Sequence, residues 1–432
     1  MVATGLLGLG VAACGNASVS SNTTLAPVGQ GLPKGGPDPG VTSNSITVGA
    51  LATESGALAP GFGEIVEGAE AYFDMVNAEG GVNGRKIYLK YNENDGNSNT
   101  NDTTLARNLV EEYHVFAVVG VGTPFFTGAP FLAQTNTPTF GYVVTTQWDD
   151  APSLFGAYGS FLGYATEEPT AGLTAAEFHA KSVAVLAYNF TASSQPCSEL
   201  AAGIKHYGYH LAFEDLNFGI GGSPDADVRQ MVADHVDLVF SCMEGTDNLA
   251  FSEAMHQYGL KTHFVWLNGY SQQVIKANGS IMNGVVFFEQ HVPFEAATQF
   301  PGKYPAVTQY MDAMKKYFPN DPQWVYDDTA IQGWISADQF VTGLRAIGRD
   351  VTQTRLIDAI NDETDFTAGG LEPPLNWRNA HSGYGPGPFC GADVEDENGV
   401  THVIFNHGSS VFICIPLNSD KPVPAPPGTP GG

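Results

Sequence analysis

Residues 46–95 read ITVGALATESGALAPGFGEIVEGAEAYFDMVNAEGGVNGRKIYLKYNEND. The run Ile46–Leu51 is short and rich in β-formers, and it enters a loop of Gly, Ser and Pro. Beyond that loop, Ile65, Ala69, Tyr72, Phe73 and Val76 recur at helical spacing and define one buried stripe. A Glu-Gly-Gly-Val-Asn-Gly turn then returns the chain to a second β-rich run, Ile87–Tyr91. Strand, helix and strand in this order make a right-handed parallel crossover unit. The loop after the first strand therefore lies at the carboxyl edge of a sheet, where open α/β sheets bind small molecules.

The same alternation continues outward. Strands are expected at Phe116–Gly120, Thr139–Val143, Val183–Ala187, His210–Phe213, Leu238–Ser241 and His263–Leu267. Helical patterns fall between them at Thr103–Tyr113, Ala171–Lys181, Cys197–Tyr207 and Asp247–Tyr258. Phe116–Gly120 is apolar throughout, as a strand covered on both faces should be. The fold class expected is α/β, with two doubly wound parallel-sheet lobes. A long helix at Tyr326–Ile347 puts Ala330, Trp334, Ala337, Val341 and Leu344 on one face. Near the end, Val403–Phe405 and Val411–Ile413 read as a hairpin around Asn406-His407-Gly408.

The turn Asn77-Ala78-Glu79-Gly80-Gly81-Val82-Asn83-Gly84, set between a helix and a second strand, resembles the opening of type I periplasmic binding proteins. The likeness is to the branched-chain amino acid binding group of ABC transporters, and it runs from about residue 44 to about 415. It implies two discontinuous lobes joined by three crossings, here Phe161–Ala165, Phe287–Gln290 and Asp365–Pro373. Lobe 1 would be 44–162 plus 290–364 and lobe 2 would be 163–289 plus 365–416. It also implies a cleft in which Thr123, after the third strand, and Thr145 with Thr146, after the fourth, hold a ligand carboxylate. From lobe 2 the resemblance brings the loops carrying Asn189 and Ser193, Glu244, and Asn268 with Tyr270. Amino-acid binders of this group place an acid where this chain has Asn268, so Glu244 or Asp247 would have to supply the charge. Phe125, Trp148 and Tyr270 could line an aromatic pocket.

Composition narrows the function classes. With 45 acidic against 18 basic residues the net charge is −27, and no Lys/Arg cluster offers a phosphate-binding surface. Nucleic acid and anionic membrane surfaces are disfavoured. At 432 residues two domains can each bury a core. Residues 5–13 (GLLGLGVAA) are too short to span a bilayer but suit the core of a secretory signal. Val11-Ala12-Ala13-Cys14 resembles a bacterial lipobox, which implies cleavage before Cys14 and lipidation of it. No Lys or Arg precedes the run, so its basic segment is expected upstream of Met1. Residues 15–43 read as a flexible tether reaching about 30 Å, and residues 417–432 as a disordered tail.

With Cys14 lipidated, Cys197, Cys242, Cys390 and Cys414 remain, and four cysteines permit three pairings. Cys197–Cys242 and Cys390–Cys414 are preferred, because each pair falls in one structural neighbourhood. In a 2-1-3 strand order the carboxyl ends of Val183–Ala187 and Leu238–Ser241 come close. Closing that loop would stabilise by roughly 4 kcal/mol in the chain-entropy model.

Catalytic motifs are missing from the sequence. Gly221-Gly222-Ser223-Pro224-Asp225 lacks the closing Gly of a nucleophile elbow, and neither H-E-x-x-H nor a Walker A run is present. Gly61-Phe62-Gly63 does not have dinucleotide spacing, and Gly208 interrupts the pair His206 and His210. No catalytic residue, metal or cofactor is expected. The reading is a monomeric, lipid-anchored extracytoplasmic protein that captures a small polar ligand, an amino acid or related carboxylate or amide, and delivers it to an ABC permease by hinge closure. A ligand-sensing receptor domain of the same fold is the alternative, and a secreted hydrolase the third.

Overall fold

The computed structural model describes residues 38–159, 169–381, 389–405, 410–415, 421 and 423–431. Its strands are β1 (Ser45–Ala52), β2 (Lys86–Asn94), β3 (Ala117–Gly122), β4 (Thr139–Gly141), β5 (Leu154–Gly156), β6 (Val183–Tyr188), β7 (Leu211–Phe218), β8 (Leu238–Ser241), β9 (His263–Trp266), β10 (Val285–Glu289), β11 (Phe389–Glu397), β12 (Val400–Ile404) and β13 (Ile413–Ile415). They form two sheets. The first runs β2-β1-β3-β4-β5, every neighbouring pair parallel. The second runs β12-β11-β10-β9-β8-β6-β7, parallel from β7 to β10 and antiparallel from β10 to β12. Both parallel cores therefore have the doubly wound order 2-1-3-4-5, and the expected two-lobed α/β class is the observed one.

The opening crossover forms as its periodicity demands. Helix Ile65–Ala78 buries Ile65, Ala69, Tyr72, Phe73 and Val76. Its partner is helix Asp328–Ile347, which is buried along nearly its whole length. They cross at two glycines: a Cβ on Gly68 would sit 1.7 Å from the Ala330 carbonyl oxygen, and one on Gly333 would sit 1.8 Å from that of Ile65. Any side chain at either position drives the backbones apart, so this contact selects glycine for space rather than for turn geometry.

Several local expectations shift. The helix expected over Thr103–Tyr113 starts earlier, at Asn99, and ends in a widened turn, Asn108–Glu112. The helix expected from Cys197 begins at Thr191 and carries Pro196 inside it. The terminal hairpin is elsewhere: β11 and β12 pair around Asn398-Gly399, both at positive φ (58° and 83°), the geometry a tight hairpin turn requires. β13 pairs with β11, not β12, and Asn406-His407-Gly408 lies outside the described residues. The tail expected to be disordered touches the body at a few points within the described residues 423–431, several of which are exposed. Val423 bridges to Cys414, the Ser410 hydroxyl donates to the Pro430 carbonyl at 2.9 Å, and Thr429 is buried. Prolines lose little backbone entropy on docking, so a segment with no core of its own can still lie on an existing face.

Both preferred disulfides are formed, Cys197–Cys242 with Cα atoms 5.9 Å apart and Cys390–Cys414 at 4.0 Å. The first joins the region after β6 to the end of β8, which are adjacent strands. The second joins residues directly opposite on β11 and β13. Cys14, the tether to residue 37 and the crossing Phe161–Ala165 lie outside the described residues. Phe287–Gln290 is the carboxyl end of β10, and Asp365–Pro373 includes Phe366, bridged to Leu375 before the chain returns to β11. No described helix is long and apolar enough to cross a membrane.

Candidate functional site

A cavity of about 100 Å³ lies where the carboxyl ends of the two sheets face each other. Tyr142, Val143 and Val144 enter it from beyond β4, and Cys242, Leu267, Asn268, Phe288, Glu289 and Gln290 from the ends of β8, β9 and β10. Asp328 and Gln332 come from the first turns of helix Asp328–Ile347, where Gln332 Nε2 donates to Asp328 Oδ1 at 3.3 Å. Ala192 and Pro196 add an acceptor: the proline has no N–H to give the carbonyl four residues earlier, which is that of Ala192. The lobes touch here. The Tyr142 hydroxyl donates to Asn268 Oδ1, and the rings of Phe125 and Phe190 lie 5.7 Å apart.

The cavity is acidic. Glu199, Glu289 and Asp328 line it, and none of the lining residues is Lys or Arg. Glu244 is buried nearby, its carboxylate packed against Gly61 of the opposite lobe, where a Cβ would lie 2.0 Å from Oε2. Burial, then the neighbouring Asp328, pushes the Glu244 carboxyl up to about 8, and Oε2 has no hydrogen-bond partner among the described residues. Burial and the charge of Asp328 likewise raise Glu289 to about 8. The helix N-terminus here is already occupied, because the Asp327 side chain accepts from the N–H groups of Thr329 (3.0 Å) and Ala330 (3.1 Å). A site for an external carboxylate at that end is filled by the chain itself.

The residues singled out from sequence fall into three groups. Asn268 lines the cavity and bridges the lobes. Glu244 and Tyr270 are buried close by; the Tyr270 hydroxyl donates to Glu295 Oε1, which also accepts from Thr401. The remainder are turned to other uses or lie outside the cavity lining. Thr123 is buried and donates to Asp95 Oδ2 at 2.7 Å, while Thr53 donates to Oδ1 at the same distance, so Asp95 ties together the loops after β1, β2 and β3. The Ser193 hydroxyl donates to the Cys242 carbonyl (2.6 Å) and accepts from Tyr188 N–H (2.8 Å). Asp247 accepts from the Tyr188 hydroxyl at 2.8 Å and from Gly221 N–H. Thr145 is buried outside the cavity lining and Phe125 is half-buried, whereas Thr146 and Asn189 are exposed. Trp148 packs against Phe126 in the core, with ring centres 4.6 Å apart.

Sequence reasoning missed Tyr142, Tyr158, Glu199, Glu289, Gln290, Asp328 and Gln332. Two signals were present: Glu289 and Gln290 close an apolar strand, and Asp327-Asp328 open the long helix, both at the carboxyl edge.

Residues 45–390 match the profile of a family described as periplasmic binding protein. The chain belongs to that family. Solved structures with the same fold include a fatty acid ABC transporter substrate-binding protein from Thermomonospora curvata (19% identity, TM-score 0.70, covering 85% of this chain and 93% of that one). A branched-chain amino acid transporter substrate-binding protein from Streptococcus pneumoniae, solved with isoleucine, is 15% identical (TM-score 0.68, 84% and 99% covered). A solute-binding protein from R. palustris in complex with benzoate is also 15% identical (TM-score 0.66, 84% and 96%). No curated protein matches the chain. Membership in this family makes the chain an extracytoplasmic solute-binding protein of the ABC-transporter type I class.

Proposed function

We propose that the chain captures a small polar organic solute in the cavity between its lobes and hands it to an ABC permease, as a monomer held at the membrane by lipid on Cys14. The division 44–162 plus 290–364 against 163–289 plus 365–416 would move as a hinge, with solute favouring the closed population. One observation carries this reading: polar groups from both lobes, Tyr142, Asn268, Gln290, Asp328 and Gln332, converge on one cavity. With three acids and no Lys or Arg in the lining, the solute would present amide, hydroxyl or ammonium donors. An amino acid or amide fits better than a bare carboxylate such as a fatty or aromatic acid.

A thermal-shift screen of amino acids, amides, amines and aromatic acids tests the class. A solute at 100 times its Kd should stabilise by about 2.7 kcal/mol. Stabilisation by donor-bearing solutes is the expected result. Stabilisation by simple carboxylates alone would overturn the assignment.

A further inference from the structure

Beside the cavity, Glu289 from the end of β10, His291 two residues on and Asp328 at the start of the long helix bring three donor atoms within 4.8 Å of one another. His291 is fully buried and Glu289 and Asp328 nearly so. His291 Nε2 lies 3.0 Å from Glu289 Oε2 and 3.5 Å from Asp328 Oδ1. The other ring nitrogen, Nδ1, sits 3.0 Å from the Val292 carbonyl. A carbonyl cannot donate, so Nδ1 carries the proton of that bond, and Nε2 is left facing two carboxylate oxygens. Such an arrangement needs a positive centre between them. A backbone carbonyl on one nitrogen and an unshared lone pair on the other is also how metal-ligating histidines are oriented.

The spacing suits an ion. Two donors each about 2.0–2.1 Å from a metal at a tetrahedral angle stand roughly 3.3–3.4 Å apart, and the two measured separations bracket that value.

We propose that Glu289, His291 and Asp328 bind a divalent metal ion of the zinc or manganese class between the lobes, with its open coordination position facing the cavity. One imidazole with two carboxylates is a mixed N/O set that favours such ions over calcium or magnesium. Metal binding itself does not depend on the cavity being the solute site.

The test is calorimetric titration of the full chain, stripped with chelator, with ZnCl2 and separately with MnCl2, no solute present. One equivalent should bind, and His291→Ala should weaken it by more than the ~10–100-fold that losing an outer-shell partner costs. His402→Ala, in the second acidic cluster (Glu395, Glu397, His402), should leave the titration unchanged. If His291→Ala fails to fold by circular dichroism, the near-isosteric Glu289→Gln takes its place. Absence of binding to the wild type, or binding retained in the His291 or Glu289 variant, would overturn the proposal and identify a proton as the bridging charge. Because no solute is used, that failure would leave the cavity assignment standing.

Discussion

The loop after β3 and the end of β10 occupy equivalent positions, each at the carboxyl edge of a parallel sheet facing the cleft, yet their polar groups do opposite work. Thr123 donates inward to Asp95 and fastens three loops of its own lobe. Glu289 and Gln290 line the cavity, and Glu289 meets His291 and the other lobe's Asp328 there. Position at a strand end makes a residue eligible to bind solute. Whether it does so depends on whether a neighbour in the same lobe has already taken its hydrogen bonds.

Each side of this contrast can be broken separately. The acid-rich wall is braced by Cys197–Cys242, and replacing both cysteines by serine should lower unfolding stability by about 2–5 kcal/mol, measured by denaturant titration. Equal stability in the variant would mean that the brace is redundant.

The same wall should carry a pH signature. Burial raises Glu244 from 4.5 to about 8, so between those values the folded chain keeps a proton that the unfolded chain has lost. Glu289 is raised in the same sense, by burial first and the charge of Asp328 second. Stability must then fall as pH rises from 5 to 8. Thermal midpoints across that range should decline in the wild type and decline less in Glu244→Gln; a rising midpoint would contradict the burial of these acids.

On the opposite wall, Thr123→Val should cost about 1–3 kcal/mol of stability by depriving buried Asp95 of a donor, while leaving solute affinity alone. Loss of affinity with unchanged stability would return Thr123 to the binding role its position suggested. The smallest expected effect is Asn268→Ala, which removes one inter-lobe hydrogen bond and should weaken solute binding by about 0.5–1.5 kcal/mol.

Much of the fold was legible because hydrophobic period and turn residues are local signals. The stripe from Ile65 to Val76, the uniformly apolar β3 and the even spacing of strands specify two doubly wound sheets, and with that order the 197–242 disulfide follows. The terminal β element was misread because two Asn/Gly turns compete in the sequence, and only tertiary pairing of β11 with both β12 and β13 decides between them. The site was less legible. Asn268 was found, but Asp328 is 60 positions further along the chain and meets Glu289 only because the long helix of one lobe starts beside a strand end of the other. Nor could the sequence show that Asp95 engages Thr123, a partnership 28 residues apart.

Native mass spectrometry of the full chain, purified without refolding, bears most directly on the central assignment of the inter-lobe cavity as the solute site. A single small-molecule adduct should be present in the wild type and in Thr123→Val and missing from a folded Asn268→Trp variant, whose indole fills the cavity. An adduct retained in Asn268→Trp, or lost in Thr123→Val, would contradict it.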